Sequence, residues 1–155
     1  MGIGKKPSLN LVTALPILFF FTTNVMTVGR IQGESMAPAL HNKDWVLLVK
    51  NPFREIFFSK NLGPGDVVFF KSPQDNTICC KRIKYEQHQT VDIIAEKAID
   101  EIHVVPKNHY FMVGDNLNNS IDSRNYGYVP NGLIVGYVNK TAGVIWPPTR
   151  WFSKV

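Results

Sequence analysis

A chain of 155 residues that is 45% hydrophobic and 19% charged carries enough apolar side chain for one packed domain, which excludes the disordered and low-complexity classes. Two adjacent cysteines, Cys79 and Cys80, exclude a disulfide framework and a four-cysteine zinc site. The formal charge is +5, but Lys5 and Lys6 supply two of those charges; from Arg30 onward 15 basic residues stand against 12 acidic ones without a dense basic block, so no nucleic-acid partner is expected.

Pro7 to Gly29 is a run of 23 residues without charge, centred on Leu15-Pro16-Ile17-Leu18-Phe19-Phe20-Phe21. As a helix it would reach roughly 34 Å at about 1.5 Å per residue, enough for a hydrocarbon core of about 30 Å. Pro16 would kink it, which membrane helices tolerate. Thr13, Thr22, Thr23, Asn24 and Thr27 dilute it. A cleaved signal peptide fits less well, because Thr23-Asn24-Val25 is a poor small-x-small site. Residues 1–29 are therefore read as a tail and a single membrane anchor in contact with lipid. Lys5 and Lys6 put the short N-terminus on the cytosolic or matrix side and the body, residues 30–155, on the other.

The body reads as mainly β. Strands are expected at Trp45–Val49, Val67–Phe70, Thr77–Ile83, Thr90–Ala95, Ile102–Val105, Tyr110–Val113, Leu133–Val138 and Thr141–Ile145, with Gly63-Pro64-Gly65-Asp66 as a turn. No segment past residue 30 holds a helical period for three turns. Short strands at about ten-residue spacing predict an all-β sandwich or folded-over sheets. Asn51 to Phe58 reads as a core-facing loop or as one that dips into a membrane or a partner.

His41, His88, His103 and His109 show neither i, i+4 pairing nor a His-x-Glu motif, so no metal or cofactor is expected. A Ser-His-Asp triad stays open on composition, without a Gly-x-Ser-x-Gly elbow to support it. Three clusters hold the remaining chemistry. In Gly33-Glu34-Ser35-Met36-Ala37-Pro38, Ser35 is an ordinary turn serine or one presented on a sharp loop. In Cys79-Cys80-Lys81-Arg82-Ile83, Lys81 and Arg82 must point to opposite faces of a strand. A lysine turned to a core would have its pKa lowered by desolvation, toward a neutral amine that accepts a proton; the alternative is an edge lysine in water. The third, Gly114 to Arg124, is a dense polar loop between two strands.

Together the clusters resemble the type I signal peptidase family. Ser35-Met36-Ala37-Pro38 is similar to its Ser-Met-x-Pro nucleophile motif, Lys81-Arg82 to its base motif, and Gly114-Asp115-Asn116 with Ser120-Ile121-Asp122-Ser123-Arg124 to its third box; Gly65-Asp66-Val67-Val68-Phe69 looks like the remaining one. The resemblance implies packed antiparallel sheets and a membrane-anchored serine endopeptidase acting on precursors with cleavable presequences. It implies Ser35 as nucleophile and Lys81 as general base, with Ser120 holding the amine. Asp122 paired with Arg124 would brace the loop, and Arg82 with Asp115 would form an ion pair behind the base. A serine found two residues before the nucleophile in some bacterial members is Gly33 here. The endoplasmic reticulum branch has His in place of Lys81, and bacterial members carry a longer insert than the 33 residues from Lys81 to Gly114. Trp146-Pro147-Pro148-Thr149-Arg150-Trp151 resembles the mitochondrial inner membrane branch, which implies an intermembrane-space body and a heteromer with a sister subunit. A non-catalytic stabilising subunit is the alternative. After Arg82 many relatives have Gly-Asp where this chain has Lys84 to His88. Ser35 lies six residues after Gly29, at most about 20 Å of extended chain, so the nucleophile is tethered near the bilayer.

Overall fold

The computed structural model describes residues 11–51, 61–92, 104–138 and 144–148. The loop over 52–58, residues 93–95 and 102–103 of two expected strands, residues 141–143, His103 and the end of the Trp146–Trp151 motif lie outside the described residues.

Helix α1 covers Leu11–Phe20, with Pro16 inside it, and a π-turn follows at Phe21–Val25. Leu15, Ile17, Leu18, Phe19 and Phe20 all stand exposed. Among the described residues no helix is long and apolar enough to cross a membrane. The uncharged run is not helical to its end, which corrects the expectation for its last residues: Met26–Arg30 forms strand β1. The polar residues that dilute the run explain the stop. Thr23 Oγ1 donates to Phe19 O at 2.6 Å and Asn24 Nδ2 to Phe20 O at 3.1 Å, so side chains satisfy the last helical carbonyls. Lys50 Nζ donates to Thr23 O and fastens this junction to the body.

The remaining strands are β2 (Trp45–Lys50), β3 (Val67–Lys71), β4 (Ile78–Glu86), β5 (His109–Val113), β6 (Val129–Pro130), β7 (Ile134–Val138) and β8 (Val144–Trp146). Among the described residues they make one eight-stranded antiparallel sheet in the order β1-β2-β7-β3-β4-β5-β6, with β8 paired to β2. The mainly β, antiparallel expectation holds, and the hydrogen-bonded ladders run continuously through all eight of these strands. Spacing locates strands but does not say which ladders join, and here β7 inserts between β2 and β3 and links both halves. Thr90 and Val104 contribute only an isolated bridge.

Both faces of this sheet are apolar, which is why Val67-Val68-Phe69-Phe70 reads as a continuous hydrophobic run and not as an alternation. One face buries Ile31, Met36, Leu40, Val46, Leu48, Val67 and Phe69. The other buries Val49, Val68, Phe70, Ile83, Met112 and Tyr137, with Cys79 and Tyr126 against them. On β4, Cys79 and Ile83 pack on the second of these faces while Cys80 packs on the first, and that alternation turns Lys81 toward the face of Cys79 and Ile83.

Candidate active site

The segment between β1 and β2 carries Ser35. Its base is closed by two backbone hydrogen bonds, Ile31 N to Asp44 O at 2.8 Å and Lys43 N to Ile31 O at 2.9 Å. Met36 and Leu40 anchor it from below, 1% and 0% exposed. Gly33 turns the chain at φ +84°, a conformation that costs glycine nothing and other residues more. Ser35, between the buried Met36 and the turn at Gly33, stays half-buried and lines a cleft of about 860 Å³.

Lys81 lies on β4 opposite Val68, and Cys79 and Ile83 share its face. That register explains why the lysine is only 5% exposed. Desolvation lowers the pKa of its amine, against the opposing pull of the Asp122 carboxylate. Lys81, Ser35 and Ser120 line the same cleft. Among the described residues no hydrogen bond joins Lys81 Nζ to Ser35 Oγ or to Ser120 Oγ. Ser120 Oγ donates to Asp122 Oδ2 at 2.6 Å.

Asp122 organises the third cluster. It accepts Gly114 N at 3.0 Å, Ser120 Oγ at 2.6 Å and Arg124 Nε at 2.8 Å, and it caps a short helix α2, Ser123–Tyr126, which the sequence reading did not resolve from the loop. Burial alone would raise the Asp122 pKa; the hydrogen bonds from Arg124, Gly114 and Ser120 outweigh it and hold the carboxyl below the usual range. Arg124 also reaches Leu117 O at 2.9 Å, so the guanidinium pins the whole loop. Ser123 Oγ accepts Met112 N at 2.9 Å and ties the loop to β5.

Arg82, on the opposite face of β4, holds Asp115 in a two-pronged pair at 2.8 and 2.7 Å and donates to Gly65 O at 2.9 Å. It therefore joins the Gly63–Asp66 turn to the third cluster. The pair is only partly shielded, with side-chain exposures of 26% and 17%. Asp115→Ala is expected to lower thermal stability by about 1–3 kcal/mol, because it strands a guanidinium that keeps just one carbonyl acceptor. A melting curve identical to wild type would show that solvent compensates fully.

Two residues that sequence reasoning left without a role complete the site. Asn116 donates from its backbone to Ser35 O at 3.0 Å and from Nδ2 to Glu34 O at 3.2 Å, clamping the serine loop to the third cluster. Gly114 stands where an added Cβ would lie 2.6 Å from Ser35 O and 2.7 Å from Ser120 Cβ. Their signal lay in the Gly-Asp-Asn triplet, whose first and third members look like turn residues when read alone. Cys79 and Cys80 are free thiols on the cleft wall; burial pushes Cys80 far above the ordinary thiol range and keeps it protonated. Among the described residues no group of His, Cys, Asp or Glu is placed to hold a metal ion.

The arrangement is a half-buried serine and a desolvated lysine in one cleft, braced by two Arg–Asp pairs. Comparison with known proteins shows the family of the chain. The family model described as signal peptidase, peptidase S26, matches residues 6–84 and 81–142, and the chain belongs to that family. Among curated relatives it is 32% identical over 164 residues to mitochondrial inner membrane protease subunit 2 of Saccharomyces cerevisiae, covering 97% of this chain and 86% of that protein. It is 38% identical over 117 residues to mitochondrial inner membrane protease subunit 1 of Xenopus tropicalis, covering 74% of this chain and 66% of that one. Among solved structures, a signal peptidase I from Enterococcus faecalis V583 aligns with a TM-score of 0.41 at 22% identity, over 52% of this chain and 98% of that one.

Proposed function

We propose that this chain is a membrane-anchored serine endopeptidase of the Ser-Lys type. It removes sorting presequences from precursors delivered to the mitochondrial intermembrane space, as the catalytic partner of a sister subunit in a heteromeric inner membrane peptidase. The observation that carries the proposal is the burial of Lys81, 5% exposed, in the cleft that also holds Ser35.

A serine hydroxyl is a poor nucleophile until a base takes its proton. A desolvated amine can serve as that base without an imidazole. In the proposed sequence Lys81 Nζ accepts the Ser35 Oγ proton as Oγ attacks the scissile carbonyl carbon. The Ser35 amide, which donates no hydrogen bond among the described residues, is free to stabilise the oxyanion. The Lys81 ammonium then protonates the departing amine, leaving an ester on Ser35. Water, deprotonated by the same amine, releases the acyl group. Ser120, which donates to Asp122 and lines the same cleft as Lys81, is assigned to hold the amine in place. Asp122 with Arg124, and Arg82 with Asp115, act as positioning residues that keep both loops in register.

The same reading assigns residues 1–29 to tail and anchor, with the N-terminus in the matrix. The exposed apolar side chains of α1 and the family membership support it; β1 begins three residues before the boundary at residue 29 and belongs to the body. A Ser35→Ala protein, assembled with the sister subunit and a labelled precursor, is expected to lose cleavage while retaining its melting temperature. Cleavage equal to wild type would contradict the enzyme and leave a stabilising subunit in its place.

A further inference from the structure

We propose that Arg30 reads the charge of the precursor, its guanidinium binding an acidic side chain within about five residues of the scissile bond. The inference rests on the peptidase reading above, because it assigns a substrate contact to the same cleft. Arg30 is the last residue of β1 and pairs in register with Trp45, so its backbone is fixed by the sheet. Its Cζ lies 5.9 Å from the centroid of the Trp45 ring. Such stacking orients the planar cation without consuming its N–H donors.

The side chain is exposed, lines the cleft beside Ser35, and has no ion pair among the described residues. Of the described residues on the cleft wall, Arg30 and Lys81 are the only ionisable side chains besides the two cysteines, and none is a carboxylate. The adjacent Glu34 is turned away toward His41 Nδ1 at 3.4 Å and Asn42 N at 3.3 Å. With the Lys81 amine neutral in the working enzyme, the wall presents one cation to an incoming peptide, and a field of one sign selects an anion. A guanidinium held beside an aromatic ring keeps its N–H fork to match a carboxylate with two parallel hydrogen bonds. Arg30 lies five positions before Ser35, at most about 17 Å of extended chain, which bounds the reach of the contact along a bound peptide. A lipid phosphate would fit the same fork, but the place of Arg30 on the cleft wall favours the peptide.

The test uses the full chain with its sister subunit in nanodiscs of uncharged phosphatidylcholine. Reporter precursors carry Asp, Gln or Lys at each position flanking the cut. At one position Asp is expected to exceed Gln by about 3–10-fold in kcat/KM, an advantage that shrinks as salt rises. In Arg30→Gln the Asp/Gln ratio falls to about one. In Arg30→Glu the preference inverts toward the Lys precursor, a gain that misfolding cannot produce. A ratio unchanged by Arg30→Gln, or no position preferring Asp in wild type, would overturn the inference and leave the peptidase intact. An equal loss for every precursor with weaker binding to anionic vesicles would also overturn it and assign the guanidinium to lipid. No cleavage of any precursor by wild type would overturn the peptidase reading itself, and this one with it.

Discussion

Lys81→Met is expected to lower kcat/KM for precursor cleavage by about 10²–10⁴-fold, the range that loss of a general base produces, while the protein melts at the same or a higher temperature. The two halves of that expectation come from one fact. Lys81 sits opposite Val68 and beside Cys79 and Ile83 on a face that otherwise buries apolar side chains. Its amine holds a proton more weakly there than in the unfolded chain, chiefly through desolvation. Between the lowered folded pKa and the ordinary lysine value the unfolded state binds more protons, so stability rises with pH over that window and a cost persists below it. Methionine fills a similar volume without that cost. A lysine retained for structure would show the reverse, a fall in melting temperature with activity following stability. Cleavage kinetics and thermal unfolding on the same preparation separate the two.

Gly114→Ala is the second substitution with a large expected effect. The new methyl would stand 2.6 Å from Ser35 O and 2.7 Å from Ser120 Cβ, well inside ordinary contact. One neighbour is backbone and the other a short side chain, so neither can swing aside. Ser35 O is held by Asn116 N at 3.0 Å, and Gly114 N is held by Asp122 at 3.0 Å. Relief requires the serine loop and the third cluster to part. Overpacking of this kind costs about 1–3 kcal/mol, and a displacement of about 1 Å at a reacting group costs about 10²-fold in rate. Loss of activity with a melting temperature lowered accordingly is the expected result. Full activity in Gly114→Ala would mean that the Ser35 loop need not touch the third cluster at all.

Much of the candidate site was legible because its polar residues fall in three short clusters of the sequence. Ser35, Lys81, Asp122 and Arg124 were all found as members of polar clusters, and the strand parity that turns Lys81 away from Arg82 followed from the sequence of β4. The Arg82–Asp115 and Asp122–Arg124 pairs are present at 2.7 and 2.8 Å. What escaped was what depends on contacts between distant segments. Strand β1 hid in the uncharged run, because Met26-Thr27-Val28 is as apolar as a helix end and only its pairing with β2 makes it a strand. The single sheet was invisible for a similar reason, since the insertion of β7 between β2 and β3 leaves no local mark. Asn116 and Gly114 act through the Ser35 backbone some 80 positions away in the chain, a distance no local pattern spans. The hydrogen bond from Ser120 Oγ to Asp122 likewise joins residues whose pairing no local pattern announces.

The measurement that bears most directly on the neutral-amine mechanism is the pH dependence of kcat/KM for wild-type enzyme on a good precursor. The base works only when unprotonated, so the rate should rise with pH through a midpoint below the ordinary lysine value of about 10.4, and that acid limb should vanish from the residual activity of Lys81→Met. A midpoint at or above the ordinary value, or the same limb surviving in the variant, would contradict the account.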